Sequence, residues 1–141
     1  MSCCCNEKKI IRPENGLKVI GPYSLGVQAG HLVFTAGQIG IIPATGEIID
    51  GGVEAETRQA LENVKAILEA AGTSLVNVVK TTVFLRDIND FNRMNAVYAP
   101  FFPENPPARS AIQVAALPRG AAVEIESVAL LPCDCDCDCN G

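Results

Sequence analysis

The spacing of apolar residues in the first half of the chain predicts two strands followed by a helix. Residues 31–36 and 39–42 are rich in types that favour strands, and residues 43–46, between apolar runs, predict a turn. Over residues 54–71 apolar side chains recur at helical spacing, and Gly72 is the expected C-terminal cap. The helical stripe consists of Ala60, Leu61, Val64, Ile67, Leu68 and Ala71.

The next stretch predicts a strand and a second helix. Residues 76–86 are rich in Val and Thr, and they end just before Asn89 or Asp90, either of which can cap a helix. Pro100 removes an interior hydrogen bond, so we expect the helix to end or bend there. The apolar stripe of this helix consists of Phe91, Met94, Val97, Tyr98 and Phe101.

Two further strands, near residues 109–115 and 122–131, complete the order ββ(β)αβαββ, which predicts an α+β sandwich. In the last strand both faces are partly apolar. Glu124 and Glu126 share one face with Val128 and Leu130, whereas the other face carries Val123, Ile125, Ala129 and Leu131. If two helices cover only one face of the sheet, a second copy of the chain is the expected cover for the other, so the sequence predicts an oligomer.

Composition narrows the class of protein. The 141 residues are 48% hydrophobic and 19% charged, which excludes a disordered chain. The net charge of −5 provides no basic field for nucleic acid. No apolar stretch approaches the ~20 residues that span a bilayer, and no signal-peptide pattern is present, so we expect a cytoplasmic protein without a membrane partner.

The seven cysteines lie only near the two ends, so they cannot staple the core. They are Cys3, Cys4, Cys5, Cys133, Cys135, Cys137 and Cys139. We therefore predict one domain at residues 10–132, with an N-terminal tail at 1–9 and a Cys/Asp-rich tail at 133–141. The C-terminal run is typical of a low-complexity tail, with a thiolate metal site as the alternative.

The candidates for chemistry are few. His31 is the single histidine and is expected in a turn or at a strand start, so no metal site is predicted in the domain. A proline-stiffened segment presents Arg109, whose fork of N–H donors matches a carboxylate, and Glu124 follows fifteen residues later. Adjacent strands would bring the two together, either to bind an acid beside an activated water or simply to form a salt bridge.

At this point the sequence resembles a known family, the reactive intermediate deaminases (RidA/YjgF). The resemblance rests on PARSAIQVAALP at 107–118 followed by VEIE at 123–126. Shorter matches are GPYS at 21–24, AGQI at 36–39, NVK at 63–65, VKTTV at 79–83 and NDF at 89–91. The resemblance covers about residues 10–131 in order.

The resemblance implies a chorismate-mutase-like α+β domain, with a mixed sheet and two helices on one face. It also implies a homotrimer whose sheets face a central barrel, with three clefts between subunits. Members of the family hydrolyse 2-imino and enamine acids, such as 2-iminobutanoate and 2-iminopropanoate, to 2-keto acids and ammonia. They use no cofactor, and their substrates are released by pyridoxal-phosphate enzymes.

Matching positions imply that Arg109 binds the substrate carboxylate and that Glu124 holds the attacking water. The other pocket positions implied are Tyr23, Gly37, Asn95 and Ala111, the last through its backbone beside the arginine. One departure is Ala36, where many relatives have serine; Thr35 is the nearest substitute hydroxyl, although strand alternation would point it the other way. Ala111 likewise replaces a cysteine that some members carry.

Two other functions stay open at this stage. A regulatory trimer that binds 2-keto acids without useful turnover is motivated by Ala36. RNA cleavage or translation inhibition, also attached to relatives, is disfavoured by the acidic charge and by the lack of a basic and aromatic patch.

Overall fold

Six strands in one sheet, with two α-helices packed against it, form the part of the chain that the computed structural model describes, residues 7–132. The strands are β1 (Lys8–Ile11), β2 (Gly26–Ala29), β3 (Leu32–Thr35), β4 (Val78–Leu85), β5 (Ala108–Gln113) and β6 (Val123–Leu130). The helices are α1 (Gly52–Ala71) and α2 (Phe91–Tyr98). All seven cysteines lie outside the described residues, and so do the alternatives for the C-terminal tail.

The sheet has the strand order β1-β2-β3-β6-β4-β5. All neighbours are antiparallel except β4 and β5, which run parallel and are therefore joined by a crossover that contains α2. The predicted α+β class, mixed sheet and paired helices are confirmed. Within residues 7–132 no helix has the length and apolar character needed to cross a membrane.

Helix α1 matches its prediction closely. It begins at Gly52, and Gly72 caps its C-terminus in the left-handed conformation, with its N–H donating to the Glu69 carbonyl at 3.0 Å. The predicted stripe is buried, including Leu61 and Leu68 at 0% exposure. Burying each such leucine stabilises the fold by about 1.5–3 kcal/mol.

The first strands differ from the prediction. Residues 39–42 are not a strand, because only Ile41 pairs, in an isolated bridge to Ile48. Strands β1 and β2 were not expected from the pattern. Each has four residues and shows no alternation of apolar and polar side chains strong enough to signal a strand.

The entry to α2 also corrects a prediction. Asp90 is the N-cap residue of α2, as predicted, but its side chain makes no capping hydrogen bond. Instead, the Asp87 carboxylate accepts a hydrogen bond from the Asn89 N–H at 2.9 Å, which caps a short 3₁₀ turn leading into α2. The helix ends at Tyr98, and Pro100 lies in the following 3₁₀ turn, as the proline predicts.

An exposed ion pair joins the two helices. Arg93 Nε of α2 lies 2.7 Å from Glu54 Oε1 of α1, and this hydrogen bond lowers the pKa of Glu54 to about 2. Arg93 also contacts Asp90 at 3.2 Å. These contacts tie α2 to the first turn of α1.

The two faces of the sheet have different surroundings. The helices bury one face, where Val123, Ile125 and Ala129 of β6 are 0% exposed. The opposite face is open in this single chain and carries large apolar side chains. Phe34, Ile112 and Leu130 on it are 42%, 47% and 48% exposed. The predicted alternation along β6 is confirmed.

Candidate functional site

A cavity of about 770 Å³ lies beside the start of β6 and contains the first group of predicted residues. Tyr23, Gly37 and Glu124 all line it, and we call these three residues the carboxylate half-site. Residues 16–20, residues 43–46 and the Pro118–Gly120 turn contribute other parts of the wall. Tyr23 is half exposed.

Backbone contacts hold Glu124 in place. Gln38 and Ile125 exchange two hydrogen bonds, of 2.8 and 2.9 Å, which join the loop after β3 to β6 on one side of Glu124. On its other side the Ala122 N–H donates to the buried Glu56 carboxylate at 2.9 Å. Hydrogen bonds at Ala122 and Ile125 therefore fix the strand on either side of Glu124.

Gly37 lies directly against the Glu124 side chain. A Cβ atom built at Gly37 would overlap the carboxylate and lie 2.8 Å from its Cδ. Only a residue without a side chain allows this approach, so Gly37 determines where the carboxylate can lie.

Asn63 of α1 fixes another part of the cavity wall. This residue is 1% exposed, and its Nδ2 donates to the carbonyls of Ile39 and Ile41 at 3.3 and 2.8 Å. Its Oδ1 accepts from Gln59 Nε2 at 2.9 Å. In the irregular segment after Gly37, these two carbonyls therefore accept hydrogen bonds from a helix side chain instead of from a neighbouring strand.

Burial raises the pKa of the Glu124 carboxyl, and the nearby Glu126 carboxylate raises it further. Within residues 7–132 Glu124 forms no ion pair or side-chain hydrogen bond. Of the cations that line the cavity, Arg119 donates from Nη1 to the Gly46 carbonyl at 2.7 Å. A half-buried carboxylate with a raised pKa is suited to accept a proton from a bound water.

The second group of predicted residues lies where β5 meets α2. Arg109 Nη1 donates to Asn95 Oδ1 at 2.8 Å. Ala111 follows on the same face of β5 and packs against the core. We call Asn95, Arg109 and Ala111 the arginine half-site.

Two aromatic rings of α2 lie against the Arg109 guanidinium. Its Cζ is 4.7 Å from the Tyr98 ring centroid and 5.3 Å from that of Phe91, both within cation–π range. The Tyr98 hydroxyl lies 2.7 Å from the Thr81 hydroxyl, and burial raises the pKa of this phenol.

The two half-sites lie on opposite faces of the sheet. In the registers of β4 with its neighbours, Arg109 is beside Thr81, on the face that the helices cover, whereas Glu124 is beside Phe84, on the other face. Strand β4 also separates β5 from β6. The expectation that adjacent strands bring Arg109 and Glu124 together within one chain is therefore wrong, and so is the salt bridge between them.

Thr35 does not join either half-site. It is 6% exposed, and its hydroxyl lies 3.2 Å from the Ser127 hydroxyl on the helix-covered side of the sheet. It also accepts a hydrogen bond from the Ser127 N–H at 3.0 Å. Ala36 lines the cavity, so Thr35 and Ala36 point in opposite directions, as strand alternation predicted.

The sequence pattern did not identify Asn63, Phe91 or Tyr98 as parts of the site. The available signals were a polar residue within the buried stripe of α1 and the i, i+4, i+7 spacing of Phe91, Asn95 and Tyr98 on one face of α2. His31 lies in the turn between β2 and β3, as predicted, and its carbonyl accepts from Leu131 N–H at 2.8 Å.

Comparison with known proteins gives consistent matches over almost the whole described region. Residues 13–131 match the family described as Endoribonuclease L-PSP. A RutC family protein of Pyrococcus horikoshii is 55% identical over 86% of this chain and 97% of its own length. The human 2-iminobutanoate/2-iminopropanoate deaminase is 49% identical over 87% of this chain and 90% of its own.

A solved structure shares the fold. The crystal structure of Escherichia coli TdcF with bound serine superimposes with a TM-score of 0.83 at 46% identity. The match covers 88% of this chain and 99% of that one. The bound serine shows that this relative holds a small amino acid.

Proposed function

Because the chain belongs to the Endoribonuclease L-PSP family, the RidA/YjgF family of the sequence resemblance, we propose that it hydrolyses 2-imino acids and their enamine tautomers to 2-keto acids and ammonia. The most suitable substrates are 2-iminobutanoate and 2-iminopropanoate. Relatives that carry a deaminase name include proteins of mammals and of Escherichia coli.

The proposed reaction adds water across the C=N bond. Glu124 accepts a proton from water as the oxygen attacks the imine carbon, and it passes this proton to the nitrogen as the C=N electrons move onto it. The hydroxyl of the tetrahedral carbinolamine then gives its proton to Glu124, which transfers it to the amino group as the C–N bond breaks, so that C=O forms and ammonia leaves. General-base help of this kind contributes about 10²- to 10⁴-fold, and the steps balance without a metal or an organic cofactor.

Arg109 binds the substrate carboxylate in this proposal. Asn95 accepts one of the five guanidinium N–H donors, which leaves others for a bidentate contact with an acid. Holding the substrate by its carboxylate places the imine carbon at a fixed distance from the attacking water.

The single observation that carries the proposal is the separation of two complementary half-sites. Within residues 7–132 a carboxylate that forms no ion pair lines a cavity on one face, and a guanidinium held by Asn95 lies on the other. The simplest way to combine them is to join Glu124 of one copy to Arg109 of the next, as in a homotrimer with clefts between its subunits. The apolar residues on the open sheet face support such an assembly.

The bound serine of TdcF supports the proposed substrate class, because serine and a 2-imino acid share a carboxylate beside a carbon that bears nitrogen. Imino acids of this kind are released by pyridoxal-phosphate enzymes and are short-lived. We propose that the protein removes them in the cytoplasm.

The test measures the disappearance of 2-iminobutanoate that threonine dehydratase generates in situ. The wild-type chain is compared with Arg109→Ala, Arg109→Lys and, as a control, Arg58→Ala on the exposed side of α1. We expect kcat/KM to fall at least ~10²-fold in Arg109→Ala, with less loss in Arg109→Lys, because lysine keeps the charge but not the fork.

Equal rates for all four proteins would refute the proposal. Tight 2-ketobutanoate binding by calorimetry with no rate enhancement would favour the regulatory alternative. RNA cleavage by a nuclease-free preparation would instead support the activity in the family's name.

A further inference from the structure

We propose that Phe91 and Tyr98 are positioning residues for Arg109, forming an aromatic clamp that holds the guanidinium ready for an incoming carboxylate. The clamp is defined by these two rings. This inference rests on the proposed function, since it assigns a role within the arginine half-site.

The geometry of α2 places the clamp. Phe91, Asn95 and Tyr98 follow the spacing i, i+4, i+7, so all three lie on one face of the helix. Arg109 reaches this face from β5, with Cζ 5.3 and 4.7 Å from the two ring centroids and Nη1 2.8 Å from Asn95 Oδ1. The two rings restrain the position of the guanidinium carbon, and the hydrogen bond to Asn95 holds Nη1.

The Tyr98 ring is itself held firmly. It is 5% exposed, its hydroxyl lies 2.7 Å from the Thr81 hydroxyl, and its centroid lies 4.8 Å from that of Phe102. Thr81 is the register partner of Arg109 on the neighbouring strand. The pairing of β4 with β5 therefore fixes the backbone of Arg109, and Thr81 of β4 also holds the Tyr98 ring that contacts the guanidinium.

This arrangement has a kinetic consequence. A free arginine side chain samples many rotamers, and a carboxylate that binds it must first order it. The clamp provides this order in advance, which tightens the binding of substrate and transition state alike. Loss of one ring should therefore raise KM and leave kcat nearly unchanged.

The test compares Phe91→Leu with Phe91→Tyr, which keeps an aromatic face. Phe101→Leu is the matched control, because Phe101 is a partly buried phenylalanine that packs against the same core. With 2-iminobutanoate, we expect Phe91→Leu to raise KM ~5- to 10-fold with kcat within about twofold of wild type. Phe91→Tyr should restore KM to within about twofold, and Phe101→Leu should leave it unchanged.

A second readout does not require deaminase activity. In ¹⁵N-resolved NMR, the Arg109 Nε–H proton, assigned by its loss in Arg109→Lys, should lie upfield of an exposed arginine because of the ring currents. Phe91→Leu should move it downfield, while Phe101→Leu should not. Thr81→Val, which removes the hydroxyl partner of Tyr98 and keeps the side-chain shape, should cause a smaller downfield shift.

The outcomes separate the clamp from the proposed function. If the wild-type chain hydrolyses no imine but the Nε–H shift responds as described, the clamp stands and the deaminase proposal fails. If the chain is active and Phe91→Leu leaves both KM and the Nε–H shift unchanged, the clamp is refuted. A fall in kcat at constant KM in Phe91→Leu would also refute it.

Discussion

Glu124 and Arg109 are held in place by opposite means. The carboxylate half-site depends on main-chain contacts, because hydrogen bonds to residues 122 and 125 fix the strand and Gly37 leaves room for the side chain. The arginine half-site depends on side chains, with Asn95 and two rings around the guanidinium. The first faces a wide cavity, whereas the second lies at a helix–strand junction.

The difference shows how one small domain can present two charges without neutralising them. Burial raises the pKa of Glu124, since no cation within the described residues compensates its charge. The Arg109 guanidinium lies against aromatic faces and a neutral amide, none of which carries an opposite charge. Because β4 separates their strands and they lie on opposite faces, the two groups form no internal salt bridge, and each can contact a substrate.

The largest expected effect comes from combining two inactive variants. Arg109→Ala and Glu124→Gln should each lose at least ~10²-fold in kcat/KM. If each site takes its arginine and its carboxylate from different copies, co-expressed chains can rebuild one complete site in a mixed trimer. Hybrids purified through two affinity tags should then recover about one third of wild-type activity.

The control for this experiment is a hybrid of wild-type chains that carry the same two tags, which should have full activity. A hybrid that combines an Arg109→Ala chain with an Arg109→Ala, Glu124→Gln chain should stay inactive, because no intact arginine is present. Failure of the first hybrid to recover activity, despite correct assembly, would show that Arg109 and Glu124 do not form a site shared between copies.

A second prediction concerns the close approach at Gly37. Gly37→Ala should displace the Glu124 carboxylate, because the added Cβ would overlap it and the end of a glutamate side chain can move at little cost. We expect kcat to fall ~10-fold or more, since a general base must lie within hydrogen-bond reach of its proton. Imine hydrolysis and the urea unfolding midpoint together test this.

The unfolding midpoint of Gly37→Ala should stay near that of wild type. Ala36→Ser is the neighbouring control, because it adds one oxygen to the same wall without touching the carboxylate approach. An unchanged kcat in Gly37→Ala would show that the reaction does not depend on the position of the Glu124 carboxylate. The close approach at Gly37 would then have no role in catalysis.

A smaller effect is expected at Asn63. Asn63→Ala leaves the Ile39 and Ile41 carbonyls without their side-chain donor, and one unsatisfied buried group costs about 1–3 kcal/mol. We expect the free energy of unfolding, from urea titration, to fall by this amount and kcat to fall a few-fold. Gln59→Ala removes only the partner of Asn63 Oδ1 and should cost less.

The Asn63 variant also distinguishes the two half-sites. The Arg109 Nε–H resonance should not move in Asn63→Ala, because α1 contributes to the cavity wall and α2 to the clamp. A shift as large as that in Phe91→Leu would mean that the two half-sites are coupled through the core.

Local patterns predicted most of the fold. Helix α1, its Gly72 cap and the alternation along β6 follow from periodicity, which depends only on neighbouring residues. Strands β1 and β2 could not be predicted, because each has only four residues and is defined by its pairing. Strand β1 pairs with β2, and β2 pairs with β3. Pairing is a long-range property that a short window does not contain.

For the candidate site, too, the sequence predicted the chemistry of the residues but not their positions in space. The chemistry of Arg109 and Glu124 could be recognised from residue type and family resemblance. Their placement on opposite faces could not, because it depends on the registers of β5 and β6 with the intervening strand β4. The clamp spacing on α2 is visible in the sequence, but the arginine that it holds comes from a different strand.

The smallest predicted effect is a shift in pH dependence. Hydrolysis needs Glu124 ionised, so its raised pKa places the acid limb of kcat/KM above the ordinary range for glutamate. Burial is the larger cause and the Glu126 charge the smaller, so Glu126→Gln should move this limb to lower pH without removing the effect of burial. The exposed Glu104→Gln should leave it in place.

The raised pKa of Glu124 also affects stability. The reaction needs the ionised carboxylate, whereas the folded state is favoured by the protonated form. Because folding raises the pKa of Glu124, its protonated form favours the folded state, and this contribution is lost as the pH rises through the raised value. Glu124→Gln should therefore have a higher Tm than wild type at neutral pH and an equal Tm below the ordinary glutamate pKa. If Glu124→Gln is instead destabilised at neutral pH, the carboxylate is paired in the wild-type protein and the cavity on this face is not a site with an uncompensated charge.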